Sequence, residues 1–480
     1  MSDPHAPTRR RRVPHAVSAS LRHGGLAALA LALLFGVAGG APVATAPTAG
    51  PRPVAASADR LWVSSPDDPS VRLTRLEPVT GPGPATAEIV VDPQDPRQRW
   101  WGTGAALTDA SERLLRSSPE AVKQLYAPTR AHGARLNLLR LPLSATDFSP
   151  QPWAWSWDGS RADPPRPERR AVRMVTDTIA PLVPGLRVVA TPWTAPASMK
   201  TTGSLRGGAL TDAAVPEYGR MLLSQADWLG RHGVPLWAMT LGNEPGYSSD
   251  YASMTMSDEQ MAALGGMVGP RLWAGRRHLW AVDHNWSDRP RVDAVLDAAP
   301  DGFDGAAFHC YGGKPDQMGG LGVPRLVTEC TGTTDGWSGT FAWDARNLVA
   351  DSVAAGSSGL MMWNLALDEN HGPVDTGSRW GCKSCRGLLT VAADGVRPEP
   401  EFYTLAHLSR AASPGARVIG SSASSGLSAA AFRNPDGSIG VFGHNATGSA
   451  QTVRINVLGR MDLAYTIEPG QLFTFRSLAA

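Results

Sequence analysis

Cysteine and lysine are both scarce in this chain, each occurring four times in 480 residues. Cys310, Cys330, Cys382 and Cys385 supply one CKSC knuckle where a zinc ribbon needs two, so they do not spell a metal site. Cys382 and Cys385 read either as a disulfide or as two thiols, and Cys310 and Cys330 are expected to lie buried and inert. An excess of either charge is also missing. The formal +2 belongs to residues 1–46, beyond which 40 basic residues face 42 acidic ones, so no nucleic-acid partner is expected.

A long apolar run is absent as well. "LAALALALLFGVAGG" (26–40) is shorter than the roughly 20 residues that span a bilayer. With "RRRR" (9–12) before it and "ATA" (44–46) after it, it has the form of a secretory leader over 1–46. An uncleaved anchor is the lesser reading. The expectation is therefore a secreted, extracellular protein with no stable membrane insertion once the leader is cleaved. No G-x-S-x-G, H-E-x-x-H or P-loop occurs, which argues against a serine hydrolase, a zinc protease or a nucleotide enzyme. "GTGAAL" (102–107) lacks the third glycine of a dinucleotide fingerprint. No cofactor and no metal are expected.

What is present has a clear rhythm. Residues 47–58 are Ala/Pro-rich and read as a linker, and 59–97 hold short alternating strands between Pro/Gly turns. From 98 to 395, eight apolar runs recur with helical patterns between most of them. They lie at 100–104, 135–143, 186–193, 235–245, 278–286, 305–312, 324–330 and 358–367. Between the third and fourth, "PEYGRMLLSQADWLGRHG" carries Tyr218, Met221, Leu222, Trp228 and Leu229 mostly on one helical face, closed by Gly233 and Pro235. The link between the sixth and seventh runs is too short for a full helix. Eight strands alternating with helices predict an α/β fold, a (β/α)8 TIM barrel. From 396 to 480 the pattern returns to short strands, which with those of 59–97 predict one side β-sandwich.

Barrel chemistry sits where strands end in loops. Only two glutamates stand there: Glu244, closing "TLGNEP", and Glu329, closing "RLVTE". Two carboxyl groups from different strands are the minimum equipment for hydrolysing a glycoside: one hands a proton to the leaving oxygen, the other attacks the anomeric carbon. Glu244 is the candidate acid/base, Glu329 the candidate nucleophile, and Asn243 a candidate partner for the sugar 2-OH. Trp193 and Trp363 read as core aromatics or as stacking surfaces. Asp109 reads as a helix cap or a hydroxyl ligand. His309 is expected to be structural, and Asp147, Asp283 and His284 have no assigned role.

"WWGTGAALTDASERL", "LRLPLSATDFSP", "ATPWTAPASMKTTGSLRGGAL", "TLGNEPG", "FHCYGG", "LVTECTG" and "MMWNLALDENHGP" stand in an order that resembles glycoside hydrolase family 30, the glucosylceramidase-like enzymes, over roughly 60–478. The resemblance implies the barrel and side sandwich, retaining hydrolysis without metal or cofactor, Glu244 as acid/base and Glu329 as nucleophile. It also implies that Asp109, Trp193, Asn243, Tyr311 and Trp363 line the subsite of the non-reducing sugar. Cys310 stands where that family commonly has Trp, and residues 369–387 depart from the eukaryotic lysosomal pattern. The leading expectation is an exported retaining β-glycosidase acting on a β-linked glucoside, oligosaccharide or glycolipid, of glucosylceramidase type. The alternatives are an endo-β-1,6-glucanase or a β-xylosidase, and, in a different class, a non-catalytic carbohydrate-binding protein.

Overall fold

The computed structural model describes residues 60–79, 84–333 and 336–478. The leader and the linker expected from the sequence lie outside them. Among the described residues, no helix is long and apolar enough to cross a membrane.

Eight parallel strands close a barrel: Gly102–Ala106, Leu138–Pro142, Arg187–Thr191, Leu236–Thr240, His278–Asn285, Gly305–His309, Arg325–Glu329 and Ser357–Met362. Each falls within or against one of the eight apolar runs. Their residues are buried almost throughout, because helices cover the outside while side chains fill the inside. The amphipathic segment after the third strand folds as the helix Val215–Arg231. It ends at His232 and Gly233, the latter at φ 80°, where a side chain would be strained. Between the sixth and seventh strands there is only a one-turn helix, Pro315–Met318.

The remaining strands form one nine-stranded ladder. In spatial order they are Thr74–Leu76, Arg60–Ser64, Leu472–Arg476, Ile439–Asn445, Leu427–Arg433, Arg417–Ala423, Ala87–Arg99, Gln451–Val457 and Met461–Ile467. Strands such as "QTVRINV" bury alternate residues. The ladder curls so that Leu61, Ile89, Val441, Ile455, Tyr465 and Phe475 share one core. This is the side β-sandwich, built from both ends of the chain. The helix Pro400–Ala411 packs between it and the first barrel strand. There His407 bonds Thr474 and Ser64 of the sandwich at 2.9 Å each, while Arg410 donates to the Gly133 carbonyl at 2.9 Å.

One expectation is overturned. Cys310 and Cys330 are not separate inert thiols but a disulfide with Cα atoms 5.3 Å apart. Each stands one residue past the end of neighbouring strands, the sixth and seventh, which brings the two sulfurs together. Cys382 and Cys385 form the second disulfide, so of the two readings the bonded one holds.

Candidate active site

The barrel interior is built in layers, each one step of the two-residue strand period above the last. The lowest is apolar: Leu138, Val189, Ala238, Trp280, Ala307, Leu326 and Met361, one from each of seven strands. Two residues further along, the same faces present Arg140, Thr191, Thr240, His309, Thr328 and Trp363. On the fifth strand a register shift between Val282 and His284 puts Asp283 into this layer, with Val282 and Asp283 at φ 67° and 64°. Such backbone is costly, above all for β-branched valine, and it concentrates at this end of the barrel: Glu244 is at φ 45° and Asn364 at 28°.

The second layer is a closed charge network. Arg140, fully buried, donates to Asp283 at 2.9 Å, to Asn243 at 2.7 Å, and to Glu329. Asp283 also accepts from Thr328 at 2.6 Å, Thr240 at 2.8 Å and Thr191 at 3.3 Å. His309 bridges two acids, with Nε2 3.1 Å from Asp283 and Nδ1 3.1 Å from Glu244. Tyr311 donates its hydroxyl to Glu329 at 2.9 Å. Atoms of Glu244, His309 and Glu329 lie within 4.8 Å of one another. Carboxylate oxygens this close are compatible with retention, in which the two carboxyl groups stand about 5–5.5 Å apart.

Family comparison agrees with this geometry. Residues 101–311 match the glycosyl hydrolase family 30 TIM-barrel domain and residues 415–473 match its beta sandwich domain, together more than half of the chain. The chain belongs to glycoside hydrolase family 30. It is a retaining β-glycosidase of that family. An endo-1,6-beta-D-glucanase of Aspergillus fumigatus is 28% identical over 79% of this chain and 86% of its own. The lysosomal acid glucosylceramidase of Mus musculus is 24% identical over 80% and 81%. Among solved structures, an endo-beta1,6-glucanase superposes with a TM-score of 0.77 at 22% identity, covering 87% of this chain and 99% of that one, a likeness of fold.

In this family 30 enzyme the two glutamates open into a cavity of about 260 Å³, shared with Asp147, Trp193, Asn243, Tyr251, Tyr311, Thr331, Trp363, Trp380 and the Cys382–Cys385 bridge. Of the seven site residues expected from sequence, six are therefore brought together. Asp109 is the exception. It is the first helical residue of Asp109–Leu115, whose cap is Thr108, accepting from the Ser111 amide. Its buried carboxylate takes the Trp153 indole N–H at 2.6 Å and is not among the cavity's lining groups. Asp147, from the loop after the second strand, occupies the cavity wall instead. Trp193 and Trp363 stack on each other, centroids 5.1 Å apart, with the Arg140 guanidinium 4.7 Å over Trp193. Their faces are therefore partly spent within the protein.

Burial works against charge on His309, but Glu329, Asp283 and Glu244 outweigh it and raise its pKa to about 9. Burial likewise favours the neutral form of Glu244, yet the hydrogen bond from His309 and the charges of His309, His284 and Arg140 hold it below the usual range. The resting pair is thus imidazolium and carboxylate, a proton shared across 3.1 Å. Asp147 is pushed up to about 7, first by burial and then by the two glutamates, despite an N–H from Cys382. Glu244, His309 and Glu329 have the atom types of a cation site. However, His309 is itself cationic and Arg140 already neutralises Glu329, so the trio repels a metal as much as it attracts one.

Arg140, Asp283 and His309 are the parts that sequence reasoning missed. Arg140 had a signal, as the lone base inside the apolar run "LNLLRLPL". Asp283 had none, since only the bulge turns it inward.

Proposed function

We propose that this family 30 enzyme is an exported, endo-acting β-1,6-glucanase working by double displacement, with Glu329 as nucleophile and Glu244 as acid/base. The observation that carries the substrate class is the character of the cavity wall. Among the described residues lining it there is no Leu, Ile, Val, Met or Phe. The apolar surface of the wall is instead aromatic, with Trp193, Trp363, Trp380, Tyr251 and Tyr311 presenting flat faces of the kind a pyranose ring stacks on rather than an aliphatic slot for a lipid chain. A polyol chain finds carboxylates, hydroxyls and ring faces. The higher identity to an endo-1,6-beta-D-glucanase than to a glucosylceramidase supports the same choice, which was the alternative on sequence alone. The leader pattern and two disulfides, bonds that persist in oxidising compartments, support export.

In the first step Glu329 attacks the anomeric carbon as its bond to the leaving oxygen breaks. The proton goes to that oxygen from Glu244, drawn from the pair it shares with His309. Formation of the ester removes the charge on Glu329, the largest of those holding the proton on His309, so the proton moves toward Glu244 when the leaving group needs it. In the second step Glu244 takes a proton from water, which attacks the same carbon from the vacated side. Asn243 accepts an Arg140 N–H at its Oδ1, which leaves its N–H₂ for the sugar 2-OH, a contact that strengthens as positive charge develops.

Purified protein is incubated with a linear β-1,6-glucan, and products are followed by chromatography and proton NMR. The expected result is a ladder of gentio-oligosaccharides whose new reducing ends appear first as the β anomer. Preferred turnover of glucosylceramide, or release of glucose alone, would overturn the substrate reading.

A further inference from the structure

Trp380 is the most exposed group of the cavity wall, at 69%, against 45% for Tyr311 and much less for the others. It is held there rigidly. Asp250 accepts from the Arg379 amide at 2.8 Å and the Trp380 amide at 3.3 Å, and Asp147 accepts from the Cys382 amide at 3.2 Å. The Cys382–Cys385 disulfide closes the same turn. An indole left in water on a braced loop, facing a cavity built for polyols, loses burial that a ligand can restore.

Its position says which part of the ligand. Trp380 belongs to the segment that follows the eighth strand, tied to the loops after the second and fourth strands. That is the arc of the barrel carrying Trp363, Trp193 and Asn243, while Tyr311 stands on the sixth strand, on the other side of the glutamate pair. We infer that Trp380 is the stacking platform for a second sugar on the non-reducing side, one unit beyond the residue attacked by Glu329. The inference rests on the glucanase reading above and deepens it: an enzyme that clips only terminal glucose has no use for this platform, whereas one that cuts within a chain does. A pyranose presents an apolar C–H face to the indole, and its hydroxyls point to water and toward the polar wall.

The test uses two substrates with the same leaving group, 4-nitrophenyl β-gentiobioside and 4-nitrophenyl β-glucoside, so that only the second sugar differs. The ratio of their kcat/KM values reads the platform alone. In the wild type the ratio exceeds one. In Trp380→Ala it falls about fivefold, the worth of one stacked ring, and in Trp380→Phe most of it returns. An unchanged ratio in Trp380→Ala overturns the inference, as does a wild-type ratio at or below one for every disaccharide tried. If the wild type prefers the cellobioside or xylobioside, the β-1,6 reading fails. The platform then stands or falls on the Trp380→Ala ratio for that disaccharide.

Discussion

Asp283→Asn is the perturbation that most directly tests the charge layer beneath the glutamates. Asp283 receives five donors: Arg140, Thr191, Thr240, Thr328 and His309, at 2.6–3.3 Å. Asparagine keeps one acceptor oxygen and turns its N–H₂ toward groups that are themselves donors, whichever way the amide is set. Removing one member of a buried ion pair costs about 3–5 kcal/mol. With an unfolding entropy of about 2.1 cal/mol/K per residue over roughly 410 residues, that lowers the melting temperature by about 3–6 °C. The chemical effect is separate. His309 loses a hydrogen-bonded anion, and an opposite charge at such range moves a pKa by about 1–3 units. The alkaline limb of the kcat/KM profile, set in the wild type by loss of the shared proton near the His309 value of about 9, therefore moves down by that amount. The assay is a pH–rate profile on an aryl β-glucoside beside a thermal melt. A variant that melts lower while its alkaline limb stays in place would refute the view that this layer holds the catalytic proton.

Glu244→Gln is expected to cost about 10²–10⁴ in kcat/KM on gluco-oligosaccharides and much less in kcat/KM on 2,4-dinitrophenyl β-glucoside, whose leaving group needs no proton, while kcat on the latter still falls because water attack lacks its base; steady-state kinetics on both substrates check this. Tyr311→Phe removes a hydrogen bond to an ionised partner, worth about 1.5–3 kcal/mol, and lowers kcat by about 10–100-fold with little change in the melting temperature. Asp147 binds a proton up to about pH 7 in the native state, while an unfolded aspartate releases it near 3.9. Its contribution to stability therefore declines as pH rises from about 4 to 7. Melting curves across that window should show a slope that Asp147→Asn removes. The Cys310–Cys330 bridge spans 20 residues, so the double alanine variant should lose about 3 kcal/mol in urea titration against the oxidised wild type.

The barrel was legible because its eight strands are buried on both faces and so stand out as apolar runs. The sandwich was legible because its strands alternate instead. Glu244 and Glu329 were legible as acids at the ends of apolar strands. The sequence does not reveal which loop aspartate lines the cavity: Trp153 donates to the carboxylate of Asp109, and Asp147 stands on the wall. His309 looked structural, and Asp283 had no assigned role, because their meaning lies in contacts across four strands. The Cys310–Cys330 bond escaped notice for a related reason. Twenty residues apart in the chain, the pair meets only when strands six and seven lie side by side. Trp380 was one tryptophan among sixteen until its surroundings were known.

Strand Arg60–Ser64 finds its partner in Leu472–Arg476, almost at the other extremity of the chain. During synthesis Arg60–Ser64 can pair with Thr74–Leu76 at once, but its other edge stays open until Leu472–Arg476 has emerged. The barrel can condense meanwhile, but the sandwich closes late, and the helix Pro400–Ala411 cannot seat fully before it does. Loss of Leu472–Arg476 would thus open the edges of both Arg60–Ser64 and Ile439–Asn445, leaving sticky ribbon ready to pair with a neighbouring copy.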